Sequence, residues 1–171
     1  MISVTLDRGQ LHALELKLAV LGQDISPLLT KAAKQAVNYA KKTTRGRVKQ
    51  MYTIDGSLTS GIKGVRTIGT GAELLIASPR KSIKHYKARQ NKQGVFASVK
   101  RGSGGTIGRS FGYNGTFFRR EGRSRLPIHA LYGPAIPQLF QNPAVQREFE
   151  TSGLNKYEEL VGNELSKIIG G

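Results

Sequence analysis

Apolar and polar residues alternate at the start of the chain. Ile2, Val4 and Leu6 are interleaved with Ser3, Thr5 and Asp7, the period of a half-buried strand that ends at Arg8-Gly9. The period then lengthens. Leu11, Leu14, Leu18 and Leu21 recur at helical spacing and predict an amphipathic helix over residues 10–21, closed by Gly22. Ser26 and Pro27 next supply an N-cap and a first helical residue. The helix they open places Leu28, Leu29, Ala32, Ala33, Ala36, Val37 and Ala40 on one face, and Lys31, Lys34, Gln35, Asn38, Lys41 and Lys42 on the other. The same pattern extends to Met51, although two adjacent threonines and Gly46 weaken it.

From Gly61 onward the texture is that of strands. Residues 64–68 and 72–77 predict a hairpin around Gly69-Thr-Gly71, stopped by Ser78-Pro79. Residues 83–93 are polar and basic with little apolar periodicity, and read as a short helix or an ordered loop. Residues 94–99 and 116–120 predict two strands joined through a glycine-rich tip, with Asn114-Gly115 turning the chain just before the second. Leu126 to Tyr132 predicts a further strand, and helical patterns return over 135–141, 143–149 and 153–169. The sum is one α+β domain over residues 1–171. An N-terminal strand and helices (1–52) pack on an antiparallel sheet with a long basic glycine-rich hairpin loop (61–134), followed by C-terminal helices (135–171).

Charge changes this picture more than composition does. The chain has 27 Lys and Arg against 11 Asp and Glu, a formal +16, and 22 of the basic residues but only 3 acidic ones lie between Lys31 and Leu126. A surface of that kind attracts polyanions or a strongly acidic protein, with steep salt dependence. Residues 135–171 hold 3 basic and 5 acidic residues, so a basic middle and an acidic end could let identical subunits meet head to tail. Cysteine is absent, which excludes disulfides and thiolate metal sites and suits folding in the cytosol. No apolar run reaches the length of a membrane span, and the N-terminus lacks a signal-peptide pattern, so a soluble, unprocessed protein with no membrane partner is expected.

Candidate chemistry is sparse. The stretch Arg101-Gly-Ser-Gly-Gly-Thr-Ile-Gly-Arg-Ser110 approaches a phosphate-binding loop, but Ser103 stands where the first glycine belongs and Arg109 replaces the lysine. The Phe111-Gly-Tyr-Asn-Gly115 that follows spells turns rather than the required helix. His12, His85 and His129 are far apart, and Asp55, Glu73 and Glu121 make no carboxylate pair for acid–base or two-metal work. No enzyme activity, metal or cofactor is expected. Two basic groups remain as candidate contacts to DNA or a partner: Lys41, Lys42, Arg45, Arg47 and Lys49, then Arg101, Arg109, Arg119, Arg120, Arg123 and Arg125. Phe96, Phe111, Tyr113, Phe117 and Phe118 sit among the second group, an interleaving able to stack bases and hold phosphates. Adjacent Phe117 and Phe118 must point to opposite faces of their strand.

The block Phe118-Arg-Arg-Glu-Gly-Arg-Ser-Arg-Leu-Pro-Ile-His-Ala-Leu-Tyr-Gly-Pro-Ala-Ile-Pro137 resembles the C-terminal signature of the prophage minor tail protein Z family, the tail completion proteins of long-tailed bacteriophages. Its specific part is residues 116–140, and the alanine-rich helix leading into a basic segment agrees in order. The glycine-rich middle, short of long Arg/Lys runs, departs from the family. The resemblance implies a non-enzymatic virion protein at the head-proximal end of the tail. There it would form a homo-oligomeric ring, by expectation a hexamer, between tail terminator and head connector proteins, adjoining the channel for double-stranded DNA. It also implies a subunit-interface corner at Leu126, Pro127, Ile128, Tyr132, Gly133, Pro134 and Pro137, and a flexible arm at residues 102–108 based on Arg101 and Arg109. The rival expectations are a cellular nucleic-acid-binding protein without sequence specificity, an enzyme acting on nucleic acid, or a basic surface that meets an acidic virion protein instead of DNA.

Overall fold

The longest apolar stripe of the sequence forms one side of a 26-residue helix, α1 (Ser26–Met51). In the computed structural model, which describes residues 2–5, 25–55 and 61–169, Leu29, Ala32, Ala33, Ala36, Val37, Ala40, Thr44 and Val48 of this helix are buried. Ile25 takes the N-cap position with Pro27 in the first turn, so the helix opens one residue before the position expected from Ser26. It runs straight through the two threonines and Gly46. Thr44 and Val48 continue the buried face while Gly46 stays exposed, so packing outweighs a local helix penalty of about 1 kcal/mol.

The sheets are small and antiparallel, and the fold is α+β. β1 (Ile2–Thr5), β2 (Ile62–Ile68) and β3 (Gly71–Ile76) form one sheet in the order β1-β3-β2, with the expected hairpin between the last two. Within it Arg66 donates from Nε to Oε1 of buried Glu73 at 2.7 Å. β4 (Arg80–Ser82) pairs with β11 (Tyr132–Ala135). β5 (Arg89–Asn91), β6 (Gly94–Ala97) and β7 (Gly105–Ile107) form a third sheet, and β8 (Ser110–Tyr113), β9 (Thr116–Arg120) and β10 (Ile128–Ala130) a fourth. Two helices close the described chain: α2 (Ile136–Phe140) and α3 (Pro143–Ile169).

Several sequence expectations are corrected. Residues 83–93 contain a 3-10 turn, Ile83–His85, directly after β4, and then β5, rather than a helix or a plain loop, because Ile83 and Tyr86 are drawn into a core of their own and Arg89–Asn91 pair with β6. Strands 94–97 and 116–120 are not partners. β6 lies between β5 and β7, β9 lies between β8 and β10, and the glycine-rich segment folds back as β7 rather than projecting as a hairpin loop. The strand expected over 126–132 divides at Leu131 into β10 and β11, which belong to different sheets. Residues 143–169 are one helix, not two. Gly153 is buried between Phe149 and Tyr157 on the packed face, and the contact with α1 offsets its intrinsic cost. The predicted helix at 10–21 lies outside the described residues.

Two cores result. The larger joins α1, β3, α2 and α3 through Leu29, Val37, Leu74, Ile76, Leu139, Phe140, Phe149 and Tyr157. The smaller is built on Ile83, Tyr86 and Ala97, with Val99, Ile107, Phe117 and Leu131 against it. Tyr86 is its anchor. The hydroxyl donates to the Pro134 carbonyl at 2.7 Å, and burial, aided by Tyr52, raises its pKa to about 12. An unfolded tyrosine ionises near 10, so the folded chain holds more protons between these values. The stability contributed by the neutral phenol is therefore complete below pH 10 and is lost as pH rises through 12. Spectrophotometric titration should show a phenolate step near pH 12 that disappears in Tyr86→Phe.

Candidate polyanion and partner surfaces

The buried face of α1 dictates where its charges go. With 100° per residue, Lys31, Lys34, Lys42, Arg45 and Lys49 fall on the side away from Leu29, Ala33, Ala36 and Ala40, and Lys41 on its flank. They form a stripe about 27 Å long, comparable to about eight successive phosphates on one DNA strand. Lys31, Lys34, Lys42 and Lys49 are exposed, while Lys41 and Arg45 are half-buried, Lys41 donating to Asn38 Oδ1 at 3.0 Å. Arg47 does not join them. It donates to Gln50 and lines a groove between α1 and α3 with Arg147 and Glu148.

The stripe continues past the helix. The Arg101 N–H donates to the Met51 carbonyl and its Nε to the Lys49 carbonyl, both at 2.8 Å. A cation is thereby fixed at the C-terminal end of α1, where the helix dipole favours it. Thr53 N–H donates to the Val99 carbonyl and Tyr52 bridges Lys100, so residues 51–53 and 99–101 run as a short antiparallel ladder. Arg101 thus belongs to the lysine stripe rather than to the root of an arm.

The other arginines gather around β8–β9–β10. Arg109 has a positive φ of 59° and donates to the Glu121 carbonyl at 3.3 Å, while its own carbonyl accepts the Arg120 N–H. The β8–β9 hairpin turns at Asn114-Gly115, both with positive φ, as the two-residue loop between Tyr113 and Thr116 requires. Pleat alternation then sorts the side chains. Phe117 packs against the smaller core, whereas Phe118 lies on the opposite face, its ring 5.9 Å from that of Phe111. The Arg120 guanidinium sits 5.1 Å from the centre of the Phe111 ring. Ile128 opposes Arg120 on the same face, and Arg119 falls on the Phe117 side, opposite His129.

Loop residues Arg123 and Arg125 are exposed. The same stretch of chain exposes Tyr113, Leu126, Ile128 and Tyr132, with exposures of 65, 68, 38 and 57%, four of the five exposed large hydrophobics among the described residues. The proline corner therefore divides. Leu126, Pro127, which follows a cis peptide bond, Ile128 and Tyr132 face outward, while Gly133, Pro134 and Pro137 are drawn toward the smaller core and the start of α2. The spacing of Lys31 and Lys34 relative to Lys49 already encoded the full stripe in the sequence. The Phe111–Ile128 face needed the strand pairings.

Neutralisation on these surfaces is slight. The ion pairs among the described residues are Arg66–Glu73, His129–Glu121, Lys156–Glu159 and Lys167–Glu164. None includes the cations of the stripe or the arginines at 101, 109, 119, 120, 123 and 125. A hydrogen bond from Lys167 and its charge hold the Glu164 carboxyl below its usual range, with a smaller contribution from Lys31. Asp55, Glu73 and Glu121 occupy separate places, the last two paired with Arg66 and His129. Among the described residues no group of three or more His, Cys, Asp or Glu could hold a metal ion, and no helix is long and apolar enough to cross a membrane. No protein-family model, curated protein or solved structure matches this chain.

Proposed function

We propose that the protein is a structural component of a tailed-phage virion. In this reading it is a tail completion or head–tail joining protein, acting as a homo-oligomeric ring, six subunits by family likeness, at the head-proximal end of the tail. The observation that carries the reading is the lysine stripe of α1 with Arg101 at its end, a row of cations that takes part in none of the ion pairs among the described residues, with Lys31 at its start near the Glu164 carboxylate. Such a row grips phosphates by charge alone and reads no bases, as a channel that lets any sequence slide past requires. The likeness of residues 116–140 to the minor tail protein Z signature supports the location, between tail terminator and head connector. The protein would be made in the host cytoplasm and incorporated into the virion, with no cofactor and no catalytic step.

A second reading, a cellular nucleic-acid-binding protein without sequence specificity, is favoured by the stripe alone, because lysines on a helix serve any duplex equally. Immunogold electron microscopy of phage particles, partially disrupted tails included, separates the two. Label at the head-proximal end of the tail is the expected result. Label absent from every particle, with the protein found only in the cell, would overturn the virion reading in favour of the second.

A further inference from the structure

The two basic surfaces differ in kind. The α1 stripe is built almost wholly of lysine, whereas residues 109–132 contain five arginines, no lysine, and the exposed Tyr113, Leu126, Ile128 and Tyr132. Lysine ammonium groups are strongly hydrated point charges suited to a sliding polyanion. Arginine with exposed aromatic and aliphatic groups is the composition of protein–protein interfaces, from which lysine is depleted. The planar Arg120 guanidinium is also preset by its place over the Phe111 ring, which lowers the entropy cost of fixing a carboxylate.

We infer that the open face of β8–β9–β10 docks on α3 of a second copy of this chain, the arginines at 120, 123 and 125 meeting carboxylates at Glu150 and Glu158. α3 lies in the part of the chain where acidic residues exceed basic ones. Its Glu159 and Glu164 are paired internally with Lys156 and Lys167, while Glu150 and Glu158 are exposed, about 12 Å apart along the helix, and in no described ion pair. Subunits with a formal charge of +16 repel one another unless opposite charges lie between them, and this contact supplies them. Sheet face and helix are different surfaces, so the contact is heterologous. It propagates head to tail, and forms the ring of the proposed function when its rotation closes.

The inference deepens the oligomeric part of the proposed function and rests on it. Its test uses purified, nuclease-treated protein without phage or DNA, so that its failure is distinct from failure of the virion location or of DNA contact. The full chain is compared by sedimentation equilibrium in about 0.1 M salt with R120E/R123E and E150K/E158K, all four positions being exposed. Each variant alone should keep the wild-type unfolding temperature yet assemble at least tenfold more weakly than wild type. Mixed one to one they should reassemble, because each restores the complement of the other. A monomeric wild type, a sheet variant that assembles like wild type, or a mixture that stays dissociated overturns the inference. So does intact assembly with a selective loss of oligonucleotide binding in R120E/R123E, which would make the face a nucleic-acid surface.

Discussion

Replacing Lys34, Lys41, Lys42 and Lys49 together with glutamine should weaken binding to random-sequence duplex DNA about a thousandfold at 0.15 M salt, and flatten the log–log salt dependence by roughly 3.6. Each lysine that neutralises a phosphate releases about 0.9 counterion, so four contacts remove four such increments whatever the sequence of the duplex. The fold should be indifferent to the change. Three of the side chains are exposed and turned away from the packed face of α1, Lys41 is half-buried on its flank, and glutamine matches lysine in helix propensity. Titrations at several salt concentrations, with unfolding curves run in parallel, give both readouts. Unchanged affinity and slope in a folded variant would show that the stripe is not a phosphate surface. Arg47→Gln is the internal control, since that side chain faces the α1–α3 groove and its loss should leave the slope unchanged.

Gly133→Ala should cost about 3 kcal/mol of stability, the upper end for overpacking, and lower the unfolding temperature by roughly 10 °C. Gly133 is buried, and a methyl group there would lie 2.5 Å from Cδ2 of Tyr86 and closer still to Cε2. The ring has nowhere to go. Its hydroxyl is tied to the Pro134 carbonyl at 2.7 Å, the Tyr86 N–H donates to Ile83, and the Tyr86 carbonyl accepts from Ser98. Calorimetry of Gly133→Ala, Tyr86→Leu and the double variant closes a mutant cycle. The pair should be strongly coupled, with the double variant less destabilised than the sum of the singles. Additive effects would show that the glycine is not there for the ring.

The sequence was most informative where one period ran uninterrupted. The apolar stripe of α1 and the β2–β3 hairpin were legible because Leu29 through Val48, and Val65 against Leu74, obey local periodicities that tertiary contacts reinforce. It misled where local and tertiary preferences disagreed. Gly153 reads as a helix break, yet its buried place between Phe149 and Tyr157 keeps α3 continuous. The glycine-rich segment reads as a free tip, yet Gly105–Ile107 completes the edge of β6 because Val95 and Ala97 need cover. The charged residues were visible from the start, but their grouping was not. Whether Arg47 sits with Lys49, or Arg101 with Arg109, depends on helix phase and on hydrogen bonds across about 50 positions of sequence.

The ladder between residues 51–53 and 99–101 has a mechanical consequence. A tangential pull on α1 along its axis, whatever applies it, reaches the Tyr86 core through the Met51–Arg101 and Thr53–Val99 hydrogen bonds and the Arg101 guanidinium clasp on Lys49. These bonds lie across the strand direction, so a load along residues 51–53 strains them together in shear rather than unzipping them one by one. The C-terminal end of the helix is thus riveted to the smaller core, and the row of lysines in front of it is anchored there.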